Sequence, residues 1–183
     1  MQEWTTQIDQ NTQAFETTFR DVTLETLNWK PNDETWSIAQ NLDHLIIINS
    51  SYFPILEALH EGTHKTPLAG KLGFLVSFFG KTVLNAVQPD RKKKIKTLPL
   101  WEPQNSTIPD TILDDFKTHQ EELKTAVLDA LPFVELGTVI ASPANKNLVY
   151  TLECAFDIIV THEQRHMKQA KEVLQMMSAT ANG

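Results

Sequence analysis

The chain has 183 residues, 41% hydrophobic and 21% charged, which suits one globular domain over 1–183 and excludes a disordered chain. Its formal net charge of −7 argues against nucleic acid as the main partner, because that role needs a basic surface. The single cysteine, Cys154, excludes an intrachain disulfide and a cysteine-rich zinc knuckle, and it suits a reducing cytoplasm.

The N-terminal run Met1-Gln2-Glu3-Trp4 lacks the basic-then-apolar pattern of a signal peptide. A first helix is predicted from about Trp4 to Leu27, with Ile8, Phe15, Phe19 and Val22 on one apolar stripe. It ends at Trp29-Lys30-Pro31, where proline disfavours helix in the residue before it. Ser37 and Gln40 then form a capping box that opens a second helix, and His44 follows about two turns in. Leu42, Leu45, Ile46, Ile47 and Ile48 make that helix apolar nearly all round, and Pro54 is expected to kink it or end a segment.

Residues 64–109 read as a long excursion, with an extra helix from Leu68 to Leu84 interrupted by glycines. The longest apolar run, Leu72 to Phe79, falls far short of the ~18 residues a membrane span needs, so no membrane partner is expected. The basic run Arg91 to Lys96 reads as a solvated loop, with binding of an anionic group as the sharper alternative. A third main helix starts near Pro109, a favourable first-turn residue, and Ile112, Phe116, His119, Leu123 and Val127 share its apolar stripe. A fourth, from roughly Val149 to Met177, carries Leu152, Ala155, Ile159, His162, His166, Ala170, Val173 and Met177 on its inner face. The regular structure is expected to be all-α, without a substantial sheet.

His162 and His166 are spaced i, i+4, so on a helix both imidazoles share one face, a spacing that can chelate a transition metal. His44, on the core face of the second helix, offers a third ligand. Buried imidazoles need polar partners, and either a shared ion or separate bonds to water and backbone would supply them. Three histidines would leave coordination positions open, the arrangement of a catalytic metal. His119 reads as a half-buried structural residue, His60 and His64 as surface and loop, and Cys154 as a small buried side chain.

His162-Glu163-Gln164-Arg165-His166 also spells HExxH, the zincin motif. Gln169 and Glu172 occupy the glycine and third-histidine places of the metzincin extension, and too little chain follows for a later ligand helix. A di-metal carboxylate site would use Glu57-x-x-His60 and Glu163-x-x-His166 with Glu16 and Glu121 or Glu122, but it leaves His44 and His162 unused. Glu163 points about 100° from the ligand direction and is expected to pair with a cation on a neighbouring helix. Gln40 is a candidate to bond a bound water or ligand, and Trp101 to cap a pocket mouth. The loop from Pro89 to Pro109 is a candidate cover.

Trp29 and Pro31, then Trp36-Ser37-Ile38-Ala39-Gln40 leading to His44-Leu45, and Leu152-Glu153 through His162-Glu163-Gln164-Arg165-His166 together resemble the DinB-like (YfiT-like) metal-binding family. The resemblance spans nearly the whole chain, with its specific motifs in residues 29–45 and 149–170. It implies an antiparallel four-helix bundle with one divalent metal on His44, His162 and His166, and frequent homodimers. It also implies a thiol S-transferase, or a related transferase or hydrolase, acting on a small molecule with a low-molecular-weight thiol as partner. Zinc and nickel lead the candidate metals, followed by iron, copper and manganese, since three histidines accept them all. A non-catalytic bundle stabilised by its metal is the alternative class.

Overall fold

The computed structural model describes residues 3–91 and 96–181. Expectations for the basic run at Arg91 to Lys96 fall mostly on residues 92–95, outside the described residues. The described chain is mostly helical, with one small antiparallel sheet. Its elements are α1 (Glu3–Phe19), α2 (Leu24–Asn28), α3 (Ile38–Ser50), α4 (Phe53–His60), α5 (Gly73–Ala86), α6 (Ile112–Asp129), α7 (Leu131–Glu135), β1 (Val139–Ser142), β2 (Asn145–Thr151) and α8 (Leu152–Ala181).

Local chemistry explains most boundaries. The Ser37 hydroxyl accepts from the Gln40 amide while the Gln40 side chain accepts from the Ser37 amide, the reciprocal box expected at the start of α3. Pro54 sits in the first turn of α4, so it starts a new helix rather than kinking the old one. The first helix does not run to Leu27. It stops at Phe19, and Thr23 caps a separate α2 by accepting from the Thr26 amide. The excursion helix begins later than expected, with a 3-10 turn over Leu68–Lys71 ahead of α5. Pro109 lies outside α6, and its carbonyl accepts from the Ile112 amide.

The helical expectation holds for the bulk of the described chain, and the sheet it did not include is small: a β1–β2 hairpin that pairs Ile140 with Tyr150 and turns at Pro143-Ala144. β-Branched and aromatic residues on both sides of that turn favour strands. The last helix therefore begins at Leu152 rather than Val149.

The long helices pack as pairs: α1 on α6 and α8, and α3 on α6 and α8. Their interior holds two apolar clusters. One gathers Ile8, Leu123, Val127, Tyr150, Phe156 and Ile159 around the hairpin. The other gathers Phe15, Phe19, Leu42, Leu45, Phe116 and Ala170. Each fully buried phenylalanine contributes roughly 2–3 kcal/mol of transfer free energy. Along each long helix, a buried polar residue falls between the two clusters: Asn11 on α1, Asn49 on α3, Gln120 on α6 and Glu163 on α8.

Candidate metal centre

The histidine site is built on α3 and α8. His44 is 2% exposed and His166 5%, while His162 is half-buried. One ligand nitrogen from each of the three lies within 4.8 Å of the others. The Nε2 atoms of His162 and His166 are 2.9 Å apart. Two imidazoles bound to one ion at ~2.0–2.1 Å stand roughly 2.9–3.4 Å apart, so this pair fits a common ion.

The outer nitrogens of two rings are anchored. His44 Nδ1 lies 2.6 Å from the Trp101 carbonyl, an acceptor only, so the ring donates there and its Nε2 keeps a lone pair. His166 Nδ1 lies 2.7 Å from Asn41 Oδ1. The Asn41 amide nitrogen donates to the Ser37 carbonyl at 2.8 Å, so its oxygen must face His166 and accept. His166 Nε2 is thereby left as an acceptor as well. This is the outer bonding that orients metal-binding histidines.

Burial, first of all, pushes all three imidazoles below their ordinary range. For His162 and His166 the neighbouring histidines and Arg165 add to the lowering. For His44 the Trp101 carbonyl and Asp43 partly oppose it. Neutral rings with free lone pairs are the form that binds a metal. The Trp36 ring packs on His44 at 4.7 Å between centroids and stacks on His166 at 5.8 Å, walling one side.

The excursion reaches the site, as its length suggests. Besides the Trp101 carbonyl on His44, the Gln104 amide donates to Asp43 at 2.8 Å and the Gln104 carbonyl accepts from Gln40 at 2.9 Å. Gln40 is thus occupied in strapping the loop to α3, not held ready for a ligand. The indole N–H of Trp101 is buried with no partner among the described residues. Arg165 donates to the carbonyls of Gln88 and Arg91, tying α8 to the segment after α5.

Glu163 forms no ion pair among the described residues. It is fully buried, accepting from Asn11 and Asn49 at 2.9 Å each. Burial pushes its carboxyl up to about 7 against the lowering by Asn11, Gln120 and Asn49. Gln120 faces the same carboxyl without a hydrogen bond of ordinary geometry, and its amide has no partner among the described residues. The di-metal residues do not converge: Glu16 pairs with Arg20 and Lys117, while Glu57, His60, Glu121 and Glu122 line a groove between α4 and α6. His44, His162 and His166 are the one three-residue group of metal-capable side chains in reach of each other among the described residues. His64 lies in the loop after α4, with Nε2 3.2 Å from the Val139 carbonyl.

Asn41 and Trp36 were not anticipated as parts of the site. Asn41 stands one turn before His44, and the i, i+3 spacing was the available signal.

His119 is buried against Phe53, its Nε2 has no partner among the described residues, and burial lowers its pKa to about 4. The unfolded chain therefore binds the extra proton between pH 4 and 6.5, and the stability lost on acidification returns as pH rises through that window. A His119→Leu variant is expected to lose this dependence, on the order of 3 kcal/mol across the window. Urea unfolding of both proteins from pH 4 to 7 checks it, and parallel curves would refute it.

A mostly helical chain carrying a convergent histidine triad defines a class of helical proteins with a candidate metal site. The family model of the DinB superfamily matches residues 7–170, and the chain belongs to that superfamily. Neither a curated protein nor a solved structure matches it.

Proposed function

We propose that His44, His162 and His166 hold one divalent metal ion in an antiparallel four-helix bundle, and that the protein is a metal-dependent enzyme of the DinB superfamily. The reaction is a thiol S-transfer, or a related transfer or hydrolysis, on a small molecule, and the working form is a homodimer. The observation that carries the metal is the convergence of three ligand nitrogens within 4.8 Å, with two rings anchored through their outer nitrogens. Zinc and nickel suit this donor set first, with iron, copper and manganese behind them. A bound ion would favour the thiolate of a small thiol or lower the pKa of a bound water towards ~7.

The chain's own groups narrow the chemistry. Cys154 is half-buried and its thiol is pushed up to about 11, by burial first and then by Asp157 and Glu153. It stays protonated at neutral pH, so a thiolate nucleophile has to arrive with a cosubstrate. Glu163 has both carboxyl oxygens engaged by asparagines, which removes it as general base. The Trp101 N–H is a donor left over on the residue that clamps His44.

The near-complete burial of His44 and His166 favours a second reading, a structural metal closed to substrate. Cobalt-substituted protein separates the two. A visible spectrum that changes on adding a thiol or azide supports the enzyme. A spectrum that neither alters replaces it with the structural reading. An Asn41→Leu variant is expected to bind zinc roughly 10–100-fold more weakly while remaining folded, by competition with a chromophoric chelator. Unchanged affinity would remove Asn41 from the site.

A further inference from the structure

From α5 and the turn before it we infer a second functional surface, a docking face for an anionic lipid bilayer. Leu68 is 82% exposed, Phe74 70%, Phe78 61% and Leu72 48%. Phe74, Phe78 and Lys81 are spaced i, i+4, i+7, so they share the outward side of α5. The other side is fixed inward by Val76 and Gly80. A Cβ at Gly80 would stand 3.0 Å from Cys154 Sγ and 3.4 Å from Tyr150 Cβ, so the helix backbone is pressed against α8 and β2. α5 cannot rotate to hide its phenylalanines without breaking that contact.

The segment that carries this patch is free of acidic residues. None of the 23 acidic residues falls between Glu61 and Asp90, while Lys65, Lys71 and Lys81 do. All three lysines are exposed, and none forms an ion pair among the described residues. Exposed phenylalanine and leucine flanked by unpaired lysines match the headgroup boundary of an anionic bilayer. α5 has 14 residues, roughly 21 Å, too short for a ~30 Å hydrocarbon core, so it would lie in the interface plane. Among the described residues no helix is long and apolar enough to cross a membrane, and surface docking needs none. A second copy of this segment would bring no acidic partner for its lysines, which favours an anionic surface as the occupant. Contact with a bilayer departs from the expectation of no membrane partner, which rested on the absence of a span. It does not depend on the metal.

The test is cosedimentation of the full chain with vesicles of phosphatidylcholine, with and without phosphatidylglycerol. Binding is expected only to the phosphatidylglycerol vesicles and should weaken with added salt. Phe74→Ser/Phe78→Ser should lower the partition coefficient at least roughly tenfold. Lys71→Glu/Lys81→Glu should lower it by a similar factor, and circular dichroism should show both variants folded. Wild-type protein that fails to bind phosphatidylglycerol vesicles overturns the proposal. So does sedimentation velocity showing that the wild type self-associates and Phe74→Ser/Phe78→Ser separates it, because a second copy then covers the face.

Discussion

Replacing His166 with alanine is expected to weaken metal binding by at least ~100-fold, because it removes one of three ligands, the ring whose Nδ1–H donates to Asn41 Oδ1. His44→Ala and His162→Ala should behave alike, with the helical circular dichroism retained in all three. The wild type should hold one ion per chain by elemental analysis of untagged protein. Full occupancy in His44→Ala would remove that residue from the ligand set. Two ions per chain would demand a second site, and the alternative residues Glu57, His60, Glu121 and Glu122 lie on a separate groove.

The second large effect belongs to Glu163. Alanine there should destabilise the fold by about 2–5 kcal/mol, since the amide donors of Asn11 and Asn49 lose their acceptor and a void opens. Asn11 keeps a bond to the Val160 carbonyl at 3.1 Å, so Asn49 is left worse off. The measurement is urea unfolding near pH 6, where the carboxyl largely keeps its proton and little buried charge is relieved by its removal. A loss below about 0.5 kcal/mol would mean that the polar layer adds no stability. Adding Asn49→Leu to the variant should recover part of the loss, as replacing both partners of a buried bond costs less than replacing one.

What was legible in the sequence was local or strongly periodic. The Ser37–Gln40 box depends on four consecutive residues, and the structure has it as read. The i, i+4 histidines needed only a helix to meet, and α8 supplies it. The hairpin was hidden because Val149 and Leu152 continue the apolar pattern of α8 backwards, although Thr138-Val139-Ile140 and Val149-Tyr150-Thr151 flank a proline turn. The break after Phe19 is hidden because Val22 extends the stripe across it, although Thr23 offers the capping chemistry that opens α2. The fate of Glu163 was not legible. Its partners are 114 and 152 residues away, and no spacing rule reaches that far. The second bond of Gln40 is illegible for a related reason, because it goes to a loop 64 residues on.

That same loop has a thermodynamic consequence. His44, Asp43 and Gln40 grip the segment from Trp101 to Gln104 through three bonds, and one of these fixes the ring that presents Nε2. Detachment of the segment and misorientation of His44 are therefore one event. Anything that binds the triad only with His44 in register selects against the detached state, and by mass action it does so in proportion to its own affinity. The exchange rate of the Gln104 amide with solvent deuterium then becomes a gauge of occupancy at the histidines, read from a backbone position that touches none of them.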